Sequence, residues 1–324
     1  MKNSKKLFIL VEVILGVMVI WLMLFTVWSG KRGNGLKVSV IVQNPDSKEW
    51  SAFKYGIKMA AQEQDVEVSV VSTGEMLTSE AQKRVIEQEI SKGVDAIIVQ
   101  PVPRKEAKEM LMKKAGEIPL MLIEHVTDTT QEGRKDISVE PNHPGLGEAL
   151  ALEAIKDYHG VLRGKSVGIF SKSTNHESTL KRAGSTIEKL ERAGAKLKWF
   201  VSGDFTESSD AFLEAQPKVD IILAMDDRSV VRLGEYAVSH PLGDVSVYGI
   251  GHSTEAVYYL DTGVIECLLV PDEFSIGYKS LIAAVEKIRK NSYDIQENEI
   301  FYTPLRKETL FYEDNQKILF TMSQ

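Results

Sequence analysis

The chain has 324 residues, a net charge of −7 from 39 Lys and Arg against 46 Asp and Glu, and 43% hydrophobic residues. That length exceeds one average domain and supplies apolar material for two cores, while the scattered cations form no basic face to follow a nucleic acid backbone. The single cysteine, Cys267, excludes an internal disulfide and a cysteine-based metal cluster, and is read as a small core residue.

Residues 1–35 differ from the rest. Lys2, Lys5 and Lys6 precede about 22 mostly apolar residues, LFILVEVILGVMVIWLMLFTVW, which as a helix cover roughly 30 Å, the thickness of a bilayer core. The expectation is one transmembrane helix with the N-terminus in the cytosol and everything after Trp28 outside the cytoplasm, a bias that Lys31 and Arg32 weaken. A secretory signal competes, but its apolar region is shorter and its cleavage site small, whereas Val27-Trp28-Ser29 carries a bulky ring. No cysteine follows for a lipoprotein signal, so an uncleaved anchor is favoured. Glu12 lies near the inner end of the span, within reach of the interface.

After a joint, SGKRGNG, strand and helix patterns alternate to about Lys290. KVSVIV reads as a strand and is followed by a helix with Trp50, Phe53, Ile57 and Ala60 at helical spacing. VEVSVV comes next, then a helix opened by Ser79 and Gln82 spaced as a capping box and stopped at Gly93. Units ending AIIV and PLMLI follow, and a second series runs through KSVGIF, KLKWFV, DIILA and VSVYGI. Such alternation is the pattern of parallel α/β sheets, here two doubly wound lobes of similar size. In open sheets of this kind, ligands sit beyond the carboxyl ends of the strands. Gln100 stands there, one residue past AIIV and before the strand-ending Pro101, where its amide can meet a ligand or bond a neighbouring loop.

HGVLRGKS superficially suggests a phosphate loop, but Gly160 and Gly164 are one residue too close and the strand follows the glycines instead of preceding them. No nucleophile elbow and no His-Glu-x-x-His occurs, and the six histidines show no paired metal-ligand spacing. Nothing in the sequence points to an enzyme, a metal or a cofactor.

From Lys37 to about Lys290 the chain resembles the type I periplasmic binding proteins, above all the ribose-binding and related sugar-binding ones. The resemblance rests on VSVIVQNPDSKEWSAFKYGIKMAA, GVDAIIVQPV, NHPGLG at a lobe crossing, GDF at Gly203 to Phe205 and VYGIG at Val247 to Gly251, in that order. It implies two lobes joined by three crossings and closing on a small solute, with 36–140 and 271–291 in the N-terminal lobe and 141–270 and 292–324 in the C-terminal lobe. It places Trp50 and Phe205 where rings stack on sugar C–H faces, and Arg182 where a guanidinium reaches hydroxyls. It places Gln43, Gln100, Glu124, His125, Glu140, Asn142 and Asp226 at polar contacts. From the residues alone, the alternatives are Trp50 as core on its helix face, Arg182 as a solvated helix charge, and Asp226 or Asp227 as a cap for the helix beginning near Ser229. Departures from the family pattern are Gly251 in place of an aspartate, Leu269 in place of a glutamine, and Glu124-His125 in place of an aspartate-arginine pair. They argue against ribose and for another sugar or a polar solute with fewer hydroxyls.

The expected function is a membrane-tethered extracytoplasmic binding protein serving an ABC permease or a sensor histidine kinase. The alternatives are a transcriptional regulator's ligand-binding core and a surface carbohydrate enzyme using carboxylates such as Glu124 and Glu140.

Overall fold

The computed structural model describes residues 35–74, 78–102, 105–123, 138–172, 177–203, 213–290 and 300–324, together with Met18. Among the described residues no helix is long and apolar enough to cross a membrane; the apolar stretch at residues 7–28, apart from Met18, lies outside them.

The first sheet is parallel, in the order β2-β1-β3-β4, and is built from β1 (Leu36–Val42), β2 (Val66–Ser72), β3 (Ala96–Val99) and β4 (Leu120–Leu122). The inner strands are covered by helices on both faces: β3 is apolar and buried at all four positions, and β1 is buried from Val38 to Val42, including the polar Ser39. The edge strand β2 instead alternates partly buried Val66 and Val68 with exposed Glu67 and Ser69.

Helix α1 (Ser51–Gln64) is entered through a 3-10 turn, Lys48–Trp50, so Trp50 ends the turn where the sequence pattern had put it on the helix face. Helix α2 (Ser79–Ser91) is capped differently from the sequence expectation. Thr78 is its N-cap and accepts from the Ala81 N–H at 3.1 Å. Gln82 is fully buried and leaves the cap to bond the chain after β3, donating to the Gln100 carbonyl at 2.8 Å and accepting from the Val102 N–H at 3.2 Å. Spacing alone could not separate these fates, because a glutamine one turn into a helix reaches either the cap or a neighbouring loop. Gly93 follows the helix with φ +80°, as expected of its stop signal. Helix α3 (Lys105–Lys114) completes the layer.

The second sheet has six strands, in the order β10-β9-β8-β7-β5-β6, against four in the first, so the lobes are not matched in sheet size among the described residues. Its parallel part comprises β5 (Ser166–Ser171), β6 (Lys196–Ser202), β7 (Ile221–Ala224), β8 (Ser246–Ile250) and β9 (Cys267–Pro271). Strand β10 (Tyr302–Leu305) adds an antiparallel edge that the sequence reading had not anticipated. Its Pro304 is tolerated because an edge strand needs one ladder only. Helices α4 (His143–Asp157), α5 (Glu177–Arg192), α6 (Asp227–Ser239) and α7 (Thr254–Asp261) cover the sheet over two apolar cores. Cys267 lies in one of them, where burial pushes its thiol up to about 12.

Two crossings between the lobes are described, at residues 138–142 and at Pro271-Asp272; residues 291–299, which precede β10, are outside the described set. Val139 still belongs to the first lobe, its N–H bonded to the Leu122 carbonyl at 3.1 Å. Helix α8 (Glu273–Lys290) returns after the second crossing and buries Ile276, Leu281, Ala284 and Val285 in the first core. It meets α1 backbone to backbone: a Cβ on Gly277 would sit 2.1 Å from the Phe53 carbonyl oxygen, and one on Gly56 2.1 Å from that of Phe274. The terminal helix α9 is Glu313–Met322.

Candidate functional site

The carboxyl ends of both sheets face a common cavity of about 150 Å³ between the lobes. The first lobe contributes Gln43 after β1, Glu49 and Trp50 from the 3-10 turn, Gln100 after β3 and Ile123 after β4. The crossings contribute Glu140, Pro141 and Pro271, and the second lobe His143, Lys172, Arg182, Asp226, Asp227, Arg228 and His252.

Of the residues singled out from the sequence, Gln43, Trp50, Gln100, Glu140, Arg182 and Asp226 line this cavity. Asn142 does not; its side chain caps α4, accepting from the Gly145 N–H at 2.9 Å. Its spacing from a glycine is that of a helix cap, and the cap uses the side chain. Glu124, His125 and Phe205 lie outside the described residues.

Several lining residues combine both readings offered by the sequence. Trp50 is buried, meets Phe53 edge to face with ring centroids 5.4 Å apart, and donates from Nε1 to the Gln43 carbonyl at 3.1 Å. It is therefore a core residue that also forms part of the cavity wall. Gln100 accepts on Oε1 from the Gln43 N–H at 3.1 Å, tying the ends of β1 and β3 together. Asp226 caps α6 by accepting from Ser229 N–H at 3.0 Å and Oγ at 2.7 Å. Its second oxygen takes the Ser171 hydroxyl and the Lys172 N–H, both at 3.0 Å, which clamps the end of β5. Asp227 is buried and accepts from the N–H groups of His252 and Ser253 at 2.7 and 2.8 Å, fixing the turn after β8. These carboxylates shape the floor by holding three strand ends in place.

Charged residues pair around the cavity, and Glu49, Arg228, His252 and Glu273 among them are ones that sequence reasoning missed. Arg228 reaches Glu49 on the opposite lobe through Nε at 3.3 Å and Nη2 at 3.2 Å. Burial opposes the guanidinium charge, but the Glu49 hydrogen bond and the nearby carboxylates hold its pKa above the ordinary value. His252 approaches Glu273 of α8 at 3.9 Å, and His143 lies 3.4 Å from Glu140 on the first crossing. Burial disfavours the His252 imidazolium, yet Glu273, Asp227 and Glu49 outweigh it and raise the pKa. No local signal marks the Glu49–Arg228 pair, whose members are 179 residues apart. The wall thus mixes five carboxylates (Glu49, Glu140, Asp226, Asp227, Glu273) with three permanent cations (Lys172, Arg182, Arg228), beside an indole. Amide, guanidinium and carboxylate groups around an apolar ring suit a polar, uncharged solute with apolar faces. Among the described residues no three His, Cys, Asp or Glu side chains come together to hold a metal.

The sequence profile of the periplasmic binding protein domain matches residues 38–292. No curated protein sequence matches the chain. Among solved structures, a glucose-galactose binding protein, GanP, of Geobacillus stearothermophilus is 17% identical, with a TM-score of 0.73 over 86% of this chain and 99% of that one. A carbohydrate transporter solute-binding protein of Agrobacterium radiobacter, in complex with D-arabinose, is 18% identical, with a TM-score of 0.76 over 88% and 99%. The XylFII-LytSN complex matches at 15% identity, with a TM-score of 0.71 over 85% and 98%. At these identities the likeness is one of fold.

Proposed function

The chain belongs to the periplasmic binding protein family, and on that premise we propose that it captures a small uncharged polar solute, a monosaccharide, in the cavity between its lobes. The observation that carries this reading is the cavity itself, where Trp50, Gln43, Gln100 and Arg182 converge in a space of about 150 Å³. A monosaccharide pairs C–H faces with a ring and hydroxyls with amides and a guanidinium, and it needs no excess of either charge. The family is one of solute-binding proteins, and two of the neighbouring folds are described as sugar binders. The absence of a catalytic motif in the sequence supports binding over turnover.

In this reading the apolar stretch at residues 7–28 anchors the lobes outside the cytoplasm, and residues 29–35 span on the order of 15 Å as a flexible coil, so any partner is a membrane protein close by. Tethering costs a transporter the free diffusion of its binding protein and costs a sensor nothing, which favours a sensor histidine kinase over an ABC permease. A neighbouring fold occurs in the XylFII-LytSN complex, so lobes of this shape can dock a second protein. The test is a thermal-shift panel of aldoses and ketoses, including D-arabinose, D-glucose and D-galactose, on the full-length protein in detergent. A sugar at a hundred times its dissociation constant is expected to add about 2.7 kcal/mol of stability. A panel in which no sugar moves the melting temperature contradicts the reading.

A further inference from the structure

Among the described residues, two ion pairs that join the lobes start from the same 3-10 turn, apart from the approach of His252 to Glu273 at 3.9 Å. Glu49 meets Arg228 side-on through two hydrogen bonds, at 3.3 and 3.2 Å, and the neighbouring Lys48 meets Glu255 at 2.7 Å. They differ in setting. The Glu49 side chain is 18% exposed and that of Arg228 36%, whereas Lys48 is 66% exposed. Exposed pairs contribute little because water screens them and holding two long side chains costs entropy. The inner pair is relieved of part of that cost, because both of its ends are already fixed. Trp50, next to Glu49, is buried and hydrogen-bonded to the Gln43 carbonyl. Asp226 and Asp227, immediately before Arg228, are bonded to the loops after β5 and β8. The fork of the guanidinium further matches the carboxylate, so separating the lobes breaks two charge-assisted bonds together. Both side chains also line the cavity, which makes the pair part of its wall.

We propose that the Glu49–Arg228 pair is a latch that holds the lobes together over the cavity, with Lys48–Glu255 as an outer, screened contact, so that it governs how long a solute stays without being the group that recognises it. The dwell-time part rests on the solute-binding reading; the lobe-closing part does not, and the test separates them. Opening must separate the pair in either case, so its loss raises the rate of release more than it alters capture.

The experiment uses the full-length protein in detergent with spin labels on Met59→Cys of α1 and Val238→Cys of α6, which lie on opposite lobes at 36% and 69% exposure, while buried Cys267 stays unlabelled. Double electron–electron resonance then gives the interlobe distance distribution at low and at high salt. Glu49→Gln and Arg228→Gln are each expected to move population toward longer distances at low salt, as salt itself does for the parent protein. The exchanged pair Glu49→Arg with Arg228→Glu is expected to restore the short distances. Release of whichever sugar stabilises the protein in the panel is expected to quicken about tenfold in Glu49→Gln and to return to within about threefold in the exchanged pair. Single variants that keep the parent distribution, or an exchanged pair that is as open as the singles, overturn the latch. If no sugar binds at all, the solute reading fails and the distances still decide the latch.

Discussion

Arg182 and Asp227 both line the cavity, yet they stand at opposite ends of the division between recognition and scaffolding. The Nε of Arg182 reaches the Ser178 carbonyl one turn back at 3.4 Å, near the limit of a hydrogen bond, and its side chain lines the cavity. Arg182→Ala is expected to weaken sugar binding by about 1.5 to 3 kcal/mol, roughly ten- to a hundredfold, with the melting temperature of the sugar-free protein almost unchanged. Calorimetric titration beside a thermal melt checks both halves. Asp227 accepts from two successive N–H groups while buried, and Asp227→Ala leaves both donors unmet. The expected loss is about 2 to 4 kcal/mol in urea unfolding, present with or without sugar. Sequence could bring Asp226 and Gln100 to the strand ends but could not choose between ligand and loop, because an acceptor placed there meets whichever donor is nearer. In the fold the nearer donors are the backbone N–H groups of Lys172, Ser229 and Gln43.

Strands and helices depend on a few close approaches that no periodicity announces. Helix α8 approaches α1 so closely because Gly277 and Gly56 leave room for the opposing backbone at Phe53 and Phe274. Gly277→Ala is expected to cost about 1 to 3 kcal/mol through forced separation of the two helices, measured by urea unfolding, whereas Ala283→Ser on the same helix should cost less. Parallel strands β5 and β7 are tied at their starts by Asp220, which accepts from the Ser166 N–H at 2.8 Å and its hydroxyl at 2.7 Å, with Lys165 at 3.2 Å. The Ser166 hydrogen bonds hold the carboxyl down to about 2, against the opposing effect of burial. A carboxylate depressed in the fold stabilises it above its unfolded pKa, and that contribution fades as pH falls from about 4 through about 2. Asp220→Asn is therefore expected to melt below the parent at pH 7, with the difference shrinking over that acid window. Buried strands such as β3 and β7 were legible as apolar runs. Strands β9 and β10 were not: β9 is cut at Pro271, and β10 is four residues long, holds a proline and pairs antiparallel with a strand it follows by a whole helix.

At the scale of the molecule, two lobes with their strand ends facing one another place a polar cavity beside a crossing helix, and an ion pair between residues 179 positions apart in the chain spans the gap. The lobed organisation was legible because alternating strands and helices admit few other packings. The pairing across the gap was not, because it depends on how closely the lobes approach. Trp50 gives the most direct test of the central claim, that a sugar binds in this cavity. Trp199 is the contrasting indole, buried in the second lobe with its Nε1 bonded to the Pro217 carbonyl at 2.9 Å. Tryptophan emission of the full-length protein is followed during titration with the stabilising sugar, in the parent, in Trp50→Phe and in Trp199→Phe. The expected result is a saturable change that Trp199→Phe retains and Trp50→Phe largely loses while still binding, since a phenyl ring keeps part of the stacking surface. A full spectral change in Trp50→Phe, or no change in the parent protein with any sugar, would contradict the claim.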